Sequence, residues 1–167
     1  MVTTSYVLHG LLNYHLRDYD RIPNEDAFVE AVERLGIPPG NYPVPLPRSR
    51  KERMGPPFMR KRERGPIWLN IMTPFSMRRV VLQWFVYSLA VGIFAALLAG
   101  RALAPGAEFS EVVLFAGLAA FGAHSFALWQ RSVWYRTKWS RTVRSTFDGL
   151  VYGLETGAIF GWLWPDV

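Results

Sequence analysis

The sequence predicts an all-α membrane protein: a helical bundle of three transmembrane helices, a partial N-terminal helix, a cytoplasmic amphipathic helix and a proline-rich extended segment. Three observations predict it. Half of the 167 residues are hydrophobic although 19% are charged, so the two classes must be segregated along the chain. Val80 to Gly100 is an apolar run whose only polar members are Gln83 and Ser88, long enough at about 1.5 Å per residue to cross a roughly 30 Å hydrocarbon core. A second run, Val112 to Trp129, carries only His124 and Ser125 as polar groups.

Along the chain, the N-terminal stretch Val2 to Leu16 is apolar and aromatic with His9, Asn13 and His15 interspersed. It is too short to span by itself and predicts a partial or interfacial helix over residues 1–16. Asn24 to Leu35 predicts an amphipathic helix. Asn24 caps it, Glu25 and Asp26 suit its positive end, and Gly36 with Pro38 stops it. Its apolar stripe of Ala27, Phe28, Ala31, Val32 and Leu35 is too small for an independent core, so it must lean on the bundle, the membrane surface or a partner. From Ile37 to Pro74 the density of proline predicts an extended wrapping segment without regular structure. Residues 17–77 together form the cytoplasmic part, and 78–167 the bundle.

The spans are predicted at 80–100, 109–130 and 146–164. Ala104-Pro105-Gly106 turns the first back into the bilayer, Arg131 ends the second, and Pro165 closes the third. The third is short, so it must begin early or meet a thinned bilayer. The N-terminus has neither a charged leading region nor a small-residue cleavage site, which predicts no cleavable signal peptide and insertion directed by the C-terminal helices.

The net charge of +6 can serve nucleic acid, an anionic membrane surface, or loops that obey the positive-inside bias. Position decides between them. Eight basic residues lie between Arg48 and Arg64, Arg78 and Arg79 precede the first span, and Arg131, Arg136, Lys138, Arg141 and Arg144 follow the second. Arg101, Glu108, Glu111 and Asp166 fall on the other side. The asymmetry places the N-terminal region in the cytoplasm and the C-terminus outside. Trp134 and Trp139 among the loop's basic residues then mark a headgroup belt and anionic lipid, with no nucleic-acid partner.

Gly149, Gly153, Gly157 and Gly161 form a glycine zipper, a smooth stripe on the third span that lets another backbone approach closely. Gly92, Ala96 and Gly100 on the first span and Ala119, Ala123 and Ala127 on the second are its expected counterparts. The stripes serve a compact bundle or, alternatively, a homo-oligomer interface. Glu155 lies nearly opposite the glycines, so both faces of the third span need neighbours.

Ionisable residues inside spans are functional hypotheses by default. Glu155 and His124 fall at roughly 9 Å depth from the same side, Gln83 is shallower, and His9 reaches the layer if residues 1–16 complete a helix. The layer can fix helix register through hydrogen bonds. It can hold a ligand, quinone or proton, or a metal or haem on His9, His124 and Glu155, although their spacing forms no metal motif. Asp18 with Tyr19, Asp20 and Arg21 reads as a solvated stretch, and Arg144 with Asp148 as an ion pair along one helix. The absence of cysteine excludes disulfides, thiolate metal sites and cysteine nucleophiles. No phosphate-binding glycine loop, zinc-protease motif or nucleophile elbow is present. The residues therefore assign no catalytic group, no metal and no cofactor.

Pro23-Asn24-Glu25-Asp26-Ala27, Pro38-Pro39-Gly40-Asn41-Tyr42, Ala127-Leu128-Trp129-Gln130 with Trp134, and Thr146-Phe147-Asp148-Gly149-Leu150 through Gly161-Trp162-Leu163-Trp164-Pro165 resemble a family of small uncharacterised bacterial inner-membrane proteins. The resemblance covers most of the chain. It implies a full membrane helix leading into the Tyr14-His15 pair, of which this chain holds the later part, and it implies no activity. The resulting expectation is a non-enzymatic accessory or assembly subunit of a larger membrane complex, partnered by other membrane subunits. The rival expectation is a small transport or redox protein using Glu155 and His124.

Overall fold

The computed structural model describes residues 1–12 and 14–166, the Val2 side chain excepted. In chain order the elements are α1 (Val2–Tyr6), a widened π-helical stretch (Val7–Leu11), a tight 3-10 stretch (Tyr14–Asp18), α2 (Glu25–Arg34), β1 (Gly40–Val44), α3 (Arg50–Arg53), α4 (Pro56–Glu63), β2 (Ile67–Ile71), α5 (Met77–Ala102), α6 (Phe109–Tyr135) and α7 (Trp139–Leu163). The chain is mostly helical, and α5 and α6 are long and apolar enough to span a membrane. It divides into two compact units, Met1–Asp20 with Met77–Val167, and Arg21–Ser76.

In the first unit α6 and α7 form an antiparallel hairpin. Arg136, in the left-handed conformation at φ 55°, ends α6. The glycine zipper of α7 lies against α6. A Cβ at Gly149 would collide with the Ser125 side chain, at Gly153 it would stand 2.8 Å from the Gly117 carbonyl oxygen, and at Gly157 2.5 Å from that of Val113. At Gly161 it would stand 2.8 Å from the Phe109 ring. These approaches follow α6 from its middle to its start. Beyond them, Gly106 N–H donates to the Pro165 carbonyl at 2.8 Å and Trp164 Nε1 to the Ala104 carbonyl at 3.0 Å. At the opposite end the Ser132 and Thr142 hydroxyls meet at 2.6 Å. Helix α7 thus runs beside α6 for its whole length.

Helix α5 packs through a different stripe from the one expected. A Cβ at Gly92 or Gly100 would meet nothing within 4 Å, while Ser88, Val91, Ala95 and Ala99 are the buried residues. The packing face is rotated by one residue, about 100°. Ala95 and Ala99 form a small core with Ala116 of α6, against which Ala119, Phe160 and Trp164 pack. Of the other α6 counterparts, Ala123 is half-buried and Ala127 exposed. The shift has a simple origin: small size marks where a backbone can approach, but a helix as apolar as α5 offers several such stripes.

The N-terminal stretch is not one regular partial helix. It changes from α to π to 3-10 turns, and it contains Gly10 and two histidines, all weaker helix formers than the aliphatic residues around them.

In the second unit α2 has the expected limits: Asn24 Oδ1 accepts from Ala27 N–H at 3.2 Å, and Gly36 leaves the helix at φ 59°. Residues 37–74 are not a featureless extended segment. Strands β1 and β2 pair antiparallel in the register Gly40 with Ile71 to Val44 with Ile67, and α3 and α4 occupy the connection. The prolines sit where regular structure tolerates them. Pro56 starts α4, where its missing N–H is no loss, and Pro43 lies in a two-stranded sheet in which both strands are edges. Phe58 is the buried side chain of α4.

Candidate functional site

Asp148, Tyr152 and Glu155 recur at intervals of four and three residues, so they share one face of α7. The N-terminal stretch runs antiparallel along that face. Near one end the Met1 amino group pairs with Glu155 Oε1, and the Thr4 hydroxyl donates to Glu155 Oε2 at 2.7 Å. Toward the other, the Tyr14 hydroxyl donates to Asp148 Oδ1, and His15 Nε2 stands 2.8 Å from Asp148 Oδ2. Further on, Arg144 donates to Asp18 Oδ1, Lys138 Nζ meets Asp20 Oδ1 at 2.5 Å, and the Arg141 guanidinium lies 5.0 Å from the centre of the Tyr19 ring. Both faces of α7 are therefore covered from within the chain, the glycines by α6 and the carboxylates by the N-terminal stretch.

The most densely connected point is His15. Its Nδ1 is 2.8 Å from Asp18 Oδ2 while its Nε2 faces Asp148, so a buried carboxylate stands at each ring nitrogen. Together with Arg144, His15 forms one hydrogen-bonded group with the two carboxyls. Asp18 and Asp148 side chains are only 1% and 4% exposed, so these partners stand in for water. Burial raises the pKa of Asp18, but hydrogen bonds from His15 and Arg144 and the Arg144 charge outweigh it and hold the carboxyl below its ordinary value. His9 stacks on His15 with ring centres 4.5 Å apart, and its Nε2 is 3.9 Å from Asp148 Oδ2. The ligand atoms of His9, His15 and Asp148 all lie within 4.8 Å of one another.

The four residues expected to form the intramembrane layer separate. Glu155 turns to Met1 and Thr4. His124, buried, sits among the rings of Trp84, Tyr87 and Tyr152, with centroids 5.1 to 5.9 Å away. His9 belongs to the His15 and Asp148 group, and Gln83 is exposed while its neighbour Trp84 takes the inward position. Around His124 a second polar centre appears: among the described residues Trp84 Nε1, Ser88 Oγ and His124 Nε2 are buried without a hydrogen-bond partner, and the Tyr152 hydroxyl beside them has Ser5 within reach.

Three residues of the basic and aromatic loop, Lys138, Arg141 and Arg144, contact Asp20, Tyr19 and Asp18, whereas Arg131, Trp134, Arg136 and Trp139 are exposed. Asp18 is buried rather than solvated, and Arg144 reaches it in preference to Asp148 one turn away. Sequence reasoning missed the Tyr14, His15, Asp18 and Asp148 constellation. The available signals were the His15 and Asp18 spacing of three and the position of Asp148 seven residues before Glu155.

Compared with known proteins, the chain matches no family model, no curated protein and no solved structure.

Proposed function

We propose that the chain is a three-span protein of the bacterial inner membrane that works without enzymatic activity as an accessory or assembly subunit of a larger membrane complex. The bulk of its N-terminal region, from about residue 17 on, lies in the cytoplasm and its C-terminus outside. Support for the third span comes from length and packing. Helix α7 has 25 residues, about 37 Å, and accompanies α6 from end to end, so a bilayer crossed by α6 is crossed by α7 as well. Its charges do not oppose this, because Asp148 and Glu155 are matched by the N-terminal stretch. The basic residues near residues 131–144 keep the orientation required by the positive-inside bias.

The observation that carries the subunit reading is α2. It is capped, terminated and amphipathic, yet it buries no residue fully: on its apolar stripe Phe28 and Leu35 are 39% and 69% exposed and Ala31 and Val32 only half-buried. Such a face gains stability only when another surface covers it. Other membrane subunits are the proposed partners, with anionic lipid at Arg131 and Arg136. Gentle detergent extraction followed by mass analysis tests the reading: the chain is expected with a defined protein partner that Phe28→Glu releases, and a lone monomer contradicts it.

A second reading, a transport or redox protein with a proton, quinone or haem site around Glu155 and His124, is favoured by the buried Trp84, Ser88 and His124 polar atoms, which have no partner among the described residues. A haem or quinone absorbance in the same preparation, abolished by His124→Ala, would favour it over the subunit reading.

A further inference from the structure

We propose that His9, His15 and Asp148 bind a divalent transition-metal ion through two imidazole nitrogens and one carboxylate oxygen, and that Asp18 and Tyr14 orient these ligands. The inference is independent of the subunit reading. His15 Nε2 and His9 Nε2 stand 2.8 and 3.9 Å from the same oxygen, Asp148 Oδ2. Ligand atoms bound at about 2.0–2.2 Å around one tetrahedral ion are separated by roughly 3–3.6 Å. The ligand atoms now spread over up to 4.8 Å with the two imidazoles stacked, so closing the set takes a displacement of the His9 nitrogen by somewhat more than an ångström, and His9, with its side chain 48% exposed, has room to turn.

The surroundings distinguish this group from an ordinary ion pair. Metal-bound histidines donate their other ring N–H to a carboxylate or carbonyl, which fixes the tautomer and aims the free nitrogen. Asp18 Oδ2 stands in that position at His15 Nδ1, and Arg144 holds Asp18 in turn. Tyr14 donates to Asp148 Oδ1, leaving Oδ2 to face both histidines. When a metal binds, it takes the place of the proton between His15 Nε2 and Asp148, and that proton leaves to solvent. Two imidazoles and one carboxylate favour Zn²⁺, Fe²⁺, Co²⁺ or Ni²⁺ over Mg²⁺ and Ca²⁺, which prefer all-oxygen sets. Three protein ligands leave further coordination positions open on the exposed His9 side.

The test uses the full chain in detergent, carrying a tag without histidine and stripped with chelator, and titrated with Co²⁺ alone. The expected result is one Co²⁺ per chain with visible ligand-field absorption, displaced by Zn²⁺. His9→Gln keeps the buried His15 contacts and is expected to lower affinity more than about tenfold, and Asp18→Asn by about 10- to 100-fold. His124→Gln is expected to change nothing. Failure of the unsubstituted protein to take up one Co²⁺ overturns the proposal. So does uptake with unchanged affinity and spectrum in His9→Gln.

Discussion

Arg144 is placed to neutralise Asp18, whose side chain is 1% exposed and already shares its other oxygen with His15. Removing the guanidinium leaves a buried carboxylate with half its compensation. Arg144→Met is expected to destabilise the protein by about 3 kcal/mol. Combining it with Asp18→Asn is expected to cost less than the sum of the single changes, which thermal unfolding in detergent would measure as a double-mutant cycle. If the two effects simply add, the pair does not hold the N-terminal stretch to α7. None of this was legible from single residues. Asp18 sits in a charged stretch, Asp18-Tyr19-Asp20-Arg21, which in most chains faces water, and its partner lies 126 positions away. Arg144 and Asp148 have the spacing of a helical pair, but both Asp148 oxygens are already met by Tyr14 and His15, and the guanidinium goes to the Asp18 oxygen that His15 leaves over.

At the scale of elements, the glycine zipper of α7 was legible because four glycines in one register leave little else for them to do. The stripes it would meet were not. The expected stripe on α5 is one residue out of phase, and on α6 the close approaches are to Val113, Gly117 and Ser125 rather than to Ala119, Ala123 and Ala127. The distinction is testable. A Cβ at Gly157 would lie 2.5 Å from a backbone oxygen that no rotamer change can move. Gly157→Ala is therefore expected to destabilise the helix pair by about 3 kcal/mol, at the upper end of ordinary overpacking. Gly92→Ala meets open space and is expected to be neutral or to stabilise by about 0.5 kcal/mol through helix propensity. Midpoints of thermal unfolding compare the two variants directly, and equal effects would contradict the packing assigned here. The limits of α2 were legible because cap and stop signals are local. The β1–β2 ladder was not, since proline density hides a pairing whose strands lie more than twenty residues apart, beyond the reach of an ordinary hairpin loop and bridged by α3 and α4.

For the whole molecule, charge placement and apolar length predict a membrane chain, and the structure is compatible with it in that two helices have the length and polarity needed to cross. The third span is the central proposal, because α7 carries Arg141, Arg144, Asp148 and Glu155 and by composition alone looks unsuited to lipid. Its packing along α6 and the matching of its charges by the N-terminal stretch answer that objection. The natural chain contains no cysteine, so one introduced thiol reports one position. Ser140→Cys in the first turn of α7 and Asp166→Cys just beyond its end, both at exposed residues, would be treated in turn with a membrane-impermeant thiol reagent on intact spheroplasts. A crossing α7 gives labelling of Asp166→Cys in intact spheroplasts and of Ser140→Cys only after lysis. Labelling of both positions from the same side would mean that α7 does not cross the bilayer.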